Sequence, residues 1–328
     1  MLKRTITFLE CSRIFSLPMA LLSWLVIFIF SWVNSGNVLY GIIALLGICF
    51  AHLGTNLLDD YFDYKFLIKM VDFDKLEYLK CSQKTKCRYL ISGQMSEGQV
   101  LSGVFLYFIL ALFLGLFLYF KCGTGVLQFA LIGGTIACLY PFLSRIYLSE
   151  ISVGLAFGPV LFSGVYYVMT GMYSKETFLL SIPTMIMTVV LLYIHTVMDY
   201  DFDLNEGKKT IANIFNSQLE SLVVLKWLLI AGYASLLLLL IFDILDWQVF
   251  LVCLTIPLSL DLYKSLKIFV TNPEGLPYKK WYHFPMENMK VFYERGEAGF
   301  MFRMLQARNL MIYFSLLFVI AIILSLAV

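Results

Sequence analysis

The amino-acid sequence predicts an all-α, polytopic membrane protein of about nine transmembrane helices around a central cavity, with the N-terminus on the cytoplasmic side. Three observations lead there. Of 328 residues, 60% are hydrophobic and only 14% charged, and the mean hydropathy is +0.83, whereas a soluble domain carries about 25% charged and 45–50% apolar residues. The apolar residues gather in nine runs, each close to the roughly 20 residues that cross a bilayer as a helix. Of the 24 Lys and Arg, all but Lys121 and Lys175 fall on one side when each is assigned to its nearest helix end. The positive-inside bias makes that side cytoplasmic. A soluble enzyme, a nucleic-acid binder and a single-anchor protein are excluded.

The runs lie at about 17–34, 38–58, 98–120, 124–144, 151–173, 178–198, 219–242, 247–266 and 309–327. The first follows a basic start, Lys3 and Arg4, but it begins beside Pro18 and offers no small-x-small cleavage site before Trp32 and Asn34. It reads as a retained span, not a signal peptide. The second run ends at Asp59 and the sixth at Asp199, Arg145 separates the fourth from the fifth, and the outer side holds only Glu176, Asp243 and Asp246 as acids. Residues 1–328 form a single transmembrane domain. Three connections on the basic side are long, at about 59–97, 199–218 and 268–308, and long loops usually carry function. The working face is therefore expected to be cytoplasmic. The 268–308 loop mixes basic and aromatic residues, from Lys279-Lys280-Trp281-Tyr282-His283-Phe284 to Phe300-Met301-Phe302-Arg303, which suits an interfacial segment or a lid. Seven cysteines, an odd number without zinc spacing, read as reduced, small apolar residues.

Lipid makes every carboxylate expensive, so the clustering of acids is informative. The second run ends in Asn56-Leu57-Leu58-Asp59-Asp60-Tyr61-Phe62-Asp63, and at 100° per residue positions 56, 59, 60 and 63 share one helix face. The sixth ends in Asp199-Tyr200-Asp201-Phe202-Asp203, with 199 and 203 one turn apart. Both helices finish on the same side of the membrane. Two such clusters repel unless a cation is shared between them, and a pair of divalent ions such as Mg²⁺, which prefers carboxylate and phosphate oxygens, meets that demand. The arrangement suits a diphosphate bridged by metal to two Asp-bearing helices. Lys65 follows the first cluster and Gly207-Lys208-Lys209-Thr210 the second; these lysines either contact phosphate as point charges or belong to a solvated basic loop.

His52-x3-Asn56-x3-Asp60 and His195-x3-Asp199-x3-Asp203 share one helical pattern, as a duplicated helical unit would produce. Both histidines lie one turn deeper than the acids, where interior hydrogen-bonded histidines are commoner than metal ligands.

These residues resemble the UbiA family of intramembrane prenyltransferases. Asp199-x-x-x-Asp203 followed by Gly207-Lys208-Lys209-Thr210 is similar to the family's second motif. Asn56-x-x-Asp59-Asp60-x-x-Asp63 is similar to its first, with Asp59 where an Asn is usual; the further Asp that normally follows closely is replaced here by Asp72 or Asp74, in a longer loop. Arg13 through Pro18, Arg88 with Ser92-Gly93-Gln94, and Tyr140-Pro141 with Arg145 resemble other family segments. Glu150 to Tyr167 looks like the corresponding helix of the 1,4-dihydroxy-2-naphthoate polyprenyltransferases of menaquinone synthesis, although its small residues Gly154, Gly158, Ser163 and Gly164 also suit close helix packing.

The resemblance implies nine helices in the inner cell membrane and a cytoplasmic-side site. It implies that Asp59, Asp60, Asp63, Asp199 and Asp203 hold two Mg²⁺ ions, with Asp60, Asp63, Asp199 and Asp203 catalytic. Asn56, Arg88, Lys208 and Lys209 would contact the diphosphate. The expected reaction moves a polyprenyl group from an isoprenyl diphosphate to an aromatic quinone precursor, with 1,4-dihydroxy-2-naphthoate leading over 4-hydroxybenzoate, homogentisate, haem or a glycerol phosphate. From another class, an ion-coupled transporter needs carboxylates near the bilayer midplane, and these lie at its edge. CDP-alcohol phosphotransferases are set aside because their D-G-x2-A-R spacing is absent.

Overall fold

The structure, a computed structural model, describes residues 8–70 and 87–326. Among them nine helices are long and apolar enough to cross a membrane, and no strand occurs. In chain order they are α1 (Leu17–Val33), α2 (Val38–Met70), α3 (Glu97–Cys122), α4 (Gly125–Leu143), α5 (Ser149–Thr170), α6 (Lys175–Met198), α7 (Gln218–Ile241), α8 (Trp247–Thr271) and α9 (Ala298–Leu326).

Local chemistry explains the boundaries. Pro18 sits in the first turn of α1, where its missing N–H costs nothing. Ser96 and Gln99 form a reciprocal capping box at the start of α3, and the hydroxyls of Ser174 and Ser217 accept first-turn N–H groups of α6 and α7. Gly171 closes α5 in the left-handed region at φ 76°, which favours glycine.

Three helices run farther than hydropathy suggested. α2 continues three turns past Leu58 and carries the first acidic cluster within it. Charges end an apolar run without ending a helix, and residues 59–70 contain neither Gly nor Pro. Likewise α8 extends to Thr271 and α9 begins at Ala298, so the connection expected over 268–308 shrinks to 272–297. The second cluster divides instead: α6 ends at Met198, Asp199 caps it, and a separate helical turn covers Tyr200–Asn205.

α2 packs along α3, α6 against α5, α7 and α9, and α9 returns to α1 and α8, so the chain closes on itself. Most of the core joins α1 with α5 to α9. A second cluster joins the α2–α3 pair to Cys11 and the segment Cys87–Met95. The small residues of α5 are packing positions: a Cβ on Gly158 would stand 2.6 Å from the Met185 Cβ, and one on Gly154 2.8 Å from a Val189 methyl. Gly158→Ala is expected to destabilise the protein by about 1–3 kcal/mol through overpacking against α6, read as a lowered unfolding temperature in detergent.

Candidate active site

Where α2 leaves the apolar layer, Asp59, Asp60 and Asp63 are all buried, and one oxygen from each lies within 4.8 Å of the others. Three acids so close are tolerated only with positive charge among them. Three cations from three other parts of the chain supply it. Arg13 donates a hydrogen bond to Asp60 and stands 3.8 Å from Asp59. Arg145 lies 3.3 Å from Asp63, and Lys208, itself buried, donates to the other Asp63 oxygen.

Each cation is held by its own scaffold. Arg13 sits in a left-handed turn at φ 57° just before α1. That turn is tied to α2 by Asn56, whose amide donates to the Ser12 carbonyl (3.2 Å) and the Ser16 hydroxyl (3.0 Å); the same hydroxyl contacts His52 Nε2 at 2.7 Å. Arg145 lies 3.8 Å over the Phe66 ring and donates to the carbonyls of Glu206 (3.1 Å) and Gly207 (3.4 Å). It therefore joins the first cluster to the loop that carries Lys208. Backbone bonds from Lys209 to Ser144 (3.1 Å) and from Tyr147 to Lys209 (2.9 Å) fasten that loop to the α4–α5 turn. The fully buried Glu150 completes the attachment, accepting from the Ile211 N–H at 3.0 Å and the Ser149 hydroxyl at 2.6 Å.

Burial opposes the charge on Arg13, but Asp60, Asp59 and Asp63 overcome it and raise its pKa. The same holds for Lys208, where Asp63, Asp59 and Asp203 outweigh burial. Tyr89 lies against Asp60, and burial together with that carboxylate pushes its phenol up. All three side chains keep their protons at any ordinary pH.

The expected site residues are placed unequally. Asp59, Asp60, Asp63 and Lys208 come together directly. Asp203 is completely buried and near enough to Lys208 to act on its charge. Asp199 pairs with His195 Nδ1 at 3.2 Å, and the His195 ring meets Phe300 of α9 edge-on. Asn56 supports the Arg13 turn. Lys209 is exposed and its ammonium lies 6.0 Å from the Tyr147 ring, so the structure does not bring it to the acids. The Arg88 side chain, Asp72 and Asp74 lie outside the described residues. Arg13, Arg145, Tyr89 and Glu150 were not among the expected site residues. The two arginines stand 47 and 82 residues from their acids, beyond the reach of any local spacing.

An oxygen-only set of three converging carboxylates fits Mg²⁺. Charge points the same way. The three acids of α2, with Asp203 near Lys208, leave no surplus positive charge on the three cations, so an added diphosphate needs further positive charge, which a divalent ion supplies.

The profile of the UbiA prenyltransferase family matches residues 16–287. The chain is 31% identical over 179 residues to 4-hydroxybenzoate octaprenyltransferases of Francisella tularensis, including subsp. mediasiatica strain FSC147, covering 53% of this chain and 56% of that protein. It thus spans about half the length of the curated relatives it matches. Among solved structures, a UbiA homolog from Archaeoglobus fulgidus bound to GPP and Mg²⁺ superposes with a TM-score of 0.59 at 13% identity, over 92% of this chain and 99% of that one. A digeranylgeranylglyceryl phosphate synthase gives 0.58 at 15% identity, over 98% and 99%. A UbiA homolog from Aeropyrum pernix K1 gives 0.56 at 14%, over 92% and 97%. These likenesses establish the shared fold, and with the profile covering most of the sequence, the chain belongs to the UbiA prenyltransferase family.

Proposed function

We propose that this protein transfers a polyprenyl group from an isoprenyl diphosphate to an aromatic quinone precursor, in a Mg²⁺-dependent reaction at the cytoplasmic face of the inner membrane. The observation that carries this reading is the buried meeting of Asp59, Asp60 and Asp63 with Arg13, Arg145 and Lys208 at the mouth of an apolar helix bundle. It supports binding of a highly charged head group whose tail stays in lipid.

Asp59, Asp60 and Asp63, with Asp199 and Asp203 from the second motif, would hold Mg²⁺, which when bound neutralises the diphosphate leaving group. Lys208 and Arg145 are the chain's own contribution to that end of the substrate. Both are buried or half-buried donors positioned before substrate arrives, so little reorganisation accompanies the growth of charge on the departing diphosphate. In the transfer, the allylic C1–O bond breaks, the electron pair leaves with diphosphate, C1 bonds to an aromatic ring carbon, and that carbon releases its proton. Water must be excluded meanwhile, and the aromatic and aliphatic walls of a lipid-embedded bundle suit that demand.

The acceptor we favour is 1,4-dihydroxy-2-naphthoate, on the likeness of the Glu150–Tyr167 stretch to enzymes of that substrate. A second reading, 4-hydroxybenzoate, is supported by the octaprenyltransferases of that name that the chain resembles. Purified protein given radiolabelled polyprenyl diphosphate, Mg²⁺ and a panel of aromatic acceptors decides between them. Prenylated product should appear with one acceptor, vanish with EDTA and return with added Mg²⁺; no product with any acceptor would overturn the assignment. Asp60→Ala and Asp199→Ala should each abolish turnover. Arg145→Ala should lower kcat/KM for the donor by about 10–100-fold, the scale of a hydrogen bond to a charged group, with the protein still inserted in the membrane.

A further inference from the structure

The segment between α8 and α9 does not project freely from the bundle. It folds back along both helices and is clamped there. Asp261 of α8 accepts from Lys280 Nζ (2.9 Å) and the Tyr282 hydroxyl (2.5 Å), and lies 3.2 Å from Nε2 of the buried His283. On the α9 side, Asn309 donates to the carbonyls of His283 and Pro285, each at 2.7 Å. The fully buried Arg303 reaches the Gly275 carbonyl at 2.6 Å and the Ser265 carbonyl at 3.1 Å. Gly299 permits the close start of α9, since a Cβ there would fall 2.0 Å from the Pro273 carbonyl oxygen.

The two helices give the depth of this strap independently. Trp247–Thr255 is nine residues of 3-10 helix at about 2.0 Å each, and the α-helix from Ile256 to Asp261 adds about 1.5 Å per residue, so Asp261 lies roughly 27 Å from the opposite end of α8. From Leu326 back to Asn309 along α9 is again about 27 Å. The hydrocarbon layer is about 30 Å thick. Both clamps therefore hold the strap at the boundary between hydrocarbon and head groups.

At that depth the strap displays what an aqueous loop would hide. Tyr278 and Trp281 are each 88% exposed and Phe284 65%, while Lys279 between them is exposed as well. No acidic residue occurs from Leu276 to Met286. Amphipathic rings beside a free lysine are the chemistry of a membrane–water interface, and an anionic leaflet attracts such a lysine.

We propose that residues 278–284 form a fixed interfacial anchor whose partner is the anionic phospholipid surface of the cytoplasmic leaflet, with Trp281 at its centre. The full chain is reconstituted in vesicles of phosphatidylglycerol and phosphatidylcholine in which the acyl chains carry bromine at shallow or deep positions. Trp281 emission is taken as the difference between the wild type and Trp281→Phe. Shallow bromines should quench it at least about twofold more than deep ones. With bromine carried only on phosphatidylglycerol, shallow quenching should exceed that seen when the same fraction of bromine is carried on phosphatidylcholine, and Lys279→Glu should remove that difference. Tyr278→Trp in the Trp281→Phe background should report the same depth, which keeps the test open if one variant folds poorly. Trp281 emission untouched by either bromine, quenching indifferent to lipid charge, or a signal that responds to added prenyl diphosphate instead of to lipid would overturn the proposal. The last of these is the behaviour of a lid.

Discussion

Everything at the working end of this molecule follows from three carboxylates buried together at the edge of a membrane. Two unit charges within 4.8 Å of each other in partly buried surroundings repel by roughly 3 kcal/mol or more, and Asp59, Asp60 and Asp63 make three such pairs. The chain meets this by drawing in cations from distant elements. Arg13 arrives from the turn before α1, Arg145 from the α4–α5 turn and Lys208 from the loop after α6. Neutralising this stretch of α2 thus fixes the relative positions of three segments that hydrophobic packing alone would leave loosely set.

The same balance makes the cluster receptive. Buried charges that already offset one another bind an added anion only when additional positive charge comes with it, and all-oxygen carboxylate ligands select a hard divalent ion for that role. Arg145 is the hinge of the arrangement because it touches Asp63, the Phe66 ring and the carbonyls of Glu206 and Gly207 at once. Glu150 serves it indirectly, fastening the start of the 3-10 turn Ile211–Ile214 to the foot of α5. Family membership and the geometry of this cluster both support the chemistry we propose, the handling of a diphosphate whose tail belongs in lipid.

How much of this was legible beforehand depends on the range of the interaction. Spans, their order and their common basic face were readable because hydropathy and charge are properties of composition, and the stripe Asn56, Asp59, Asp60, Asp63 was readable because helical periodicity is local. Helix ends were less so. Asp59 ends the apolar run, yet α2 continues to Met70 because backbone hydrogen bonds do not require lipid. Arg13 and Arg145 were visible as residues of a family pattern, but nothing in their spacing joined them to Asp60 and Asp63; only folding across 47 and 82 residues does so. Lys208 and Lys209 looked equivalent in sequence. The turn at Gly207, at φ 71°, buries the first and leaves the second beside Tyr147.

The central claim is that this cluster binds a prenyl diphosphate only together with a divalent cation. Calorimetric titration of the purified protein with a non-hydrolysable prenyl thiolodiphosphate, with and without Mg²⁺, tests it directly. The account predicts saturable binding in the presence of Mg²⁺, loss of that binding when the metal is chelated, and its loss in Asp63→Asn even with Mg²⁺ present. Equal affinity with and without the metal, or binding unchanged by Asp63→Asn, would contradict it.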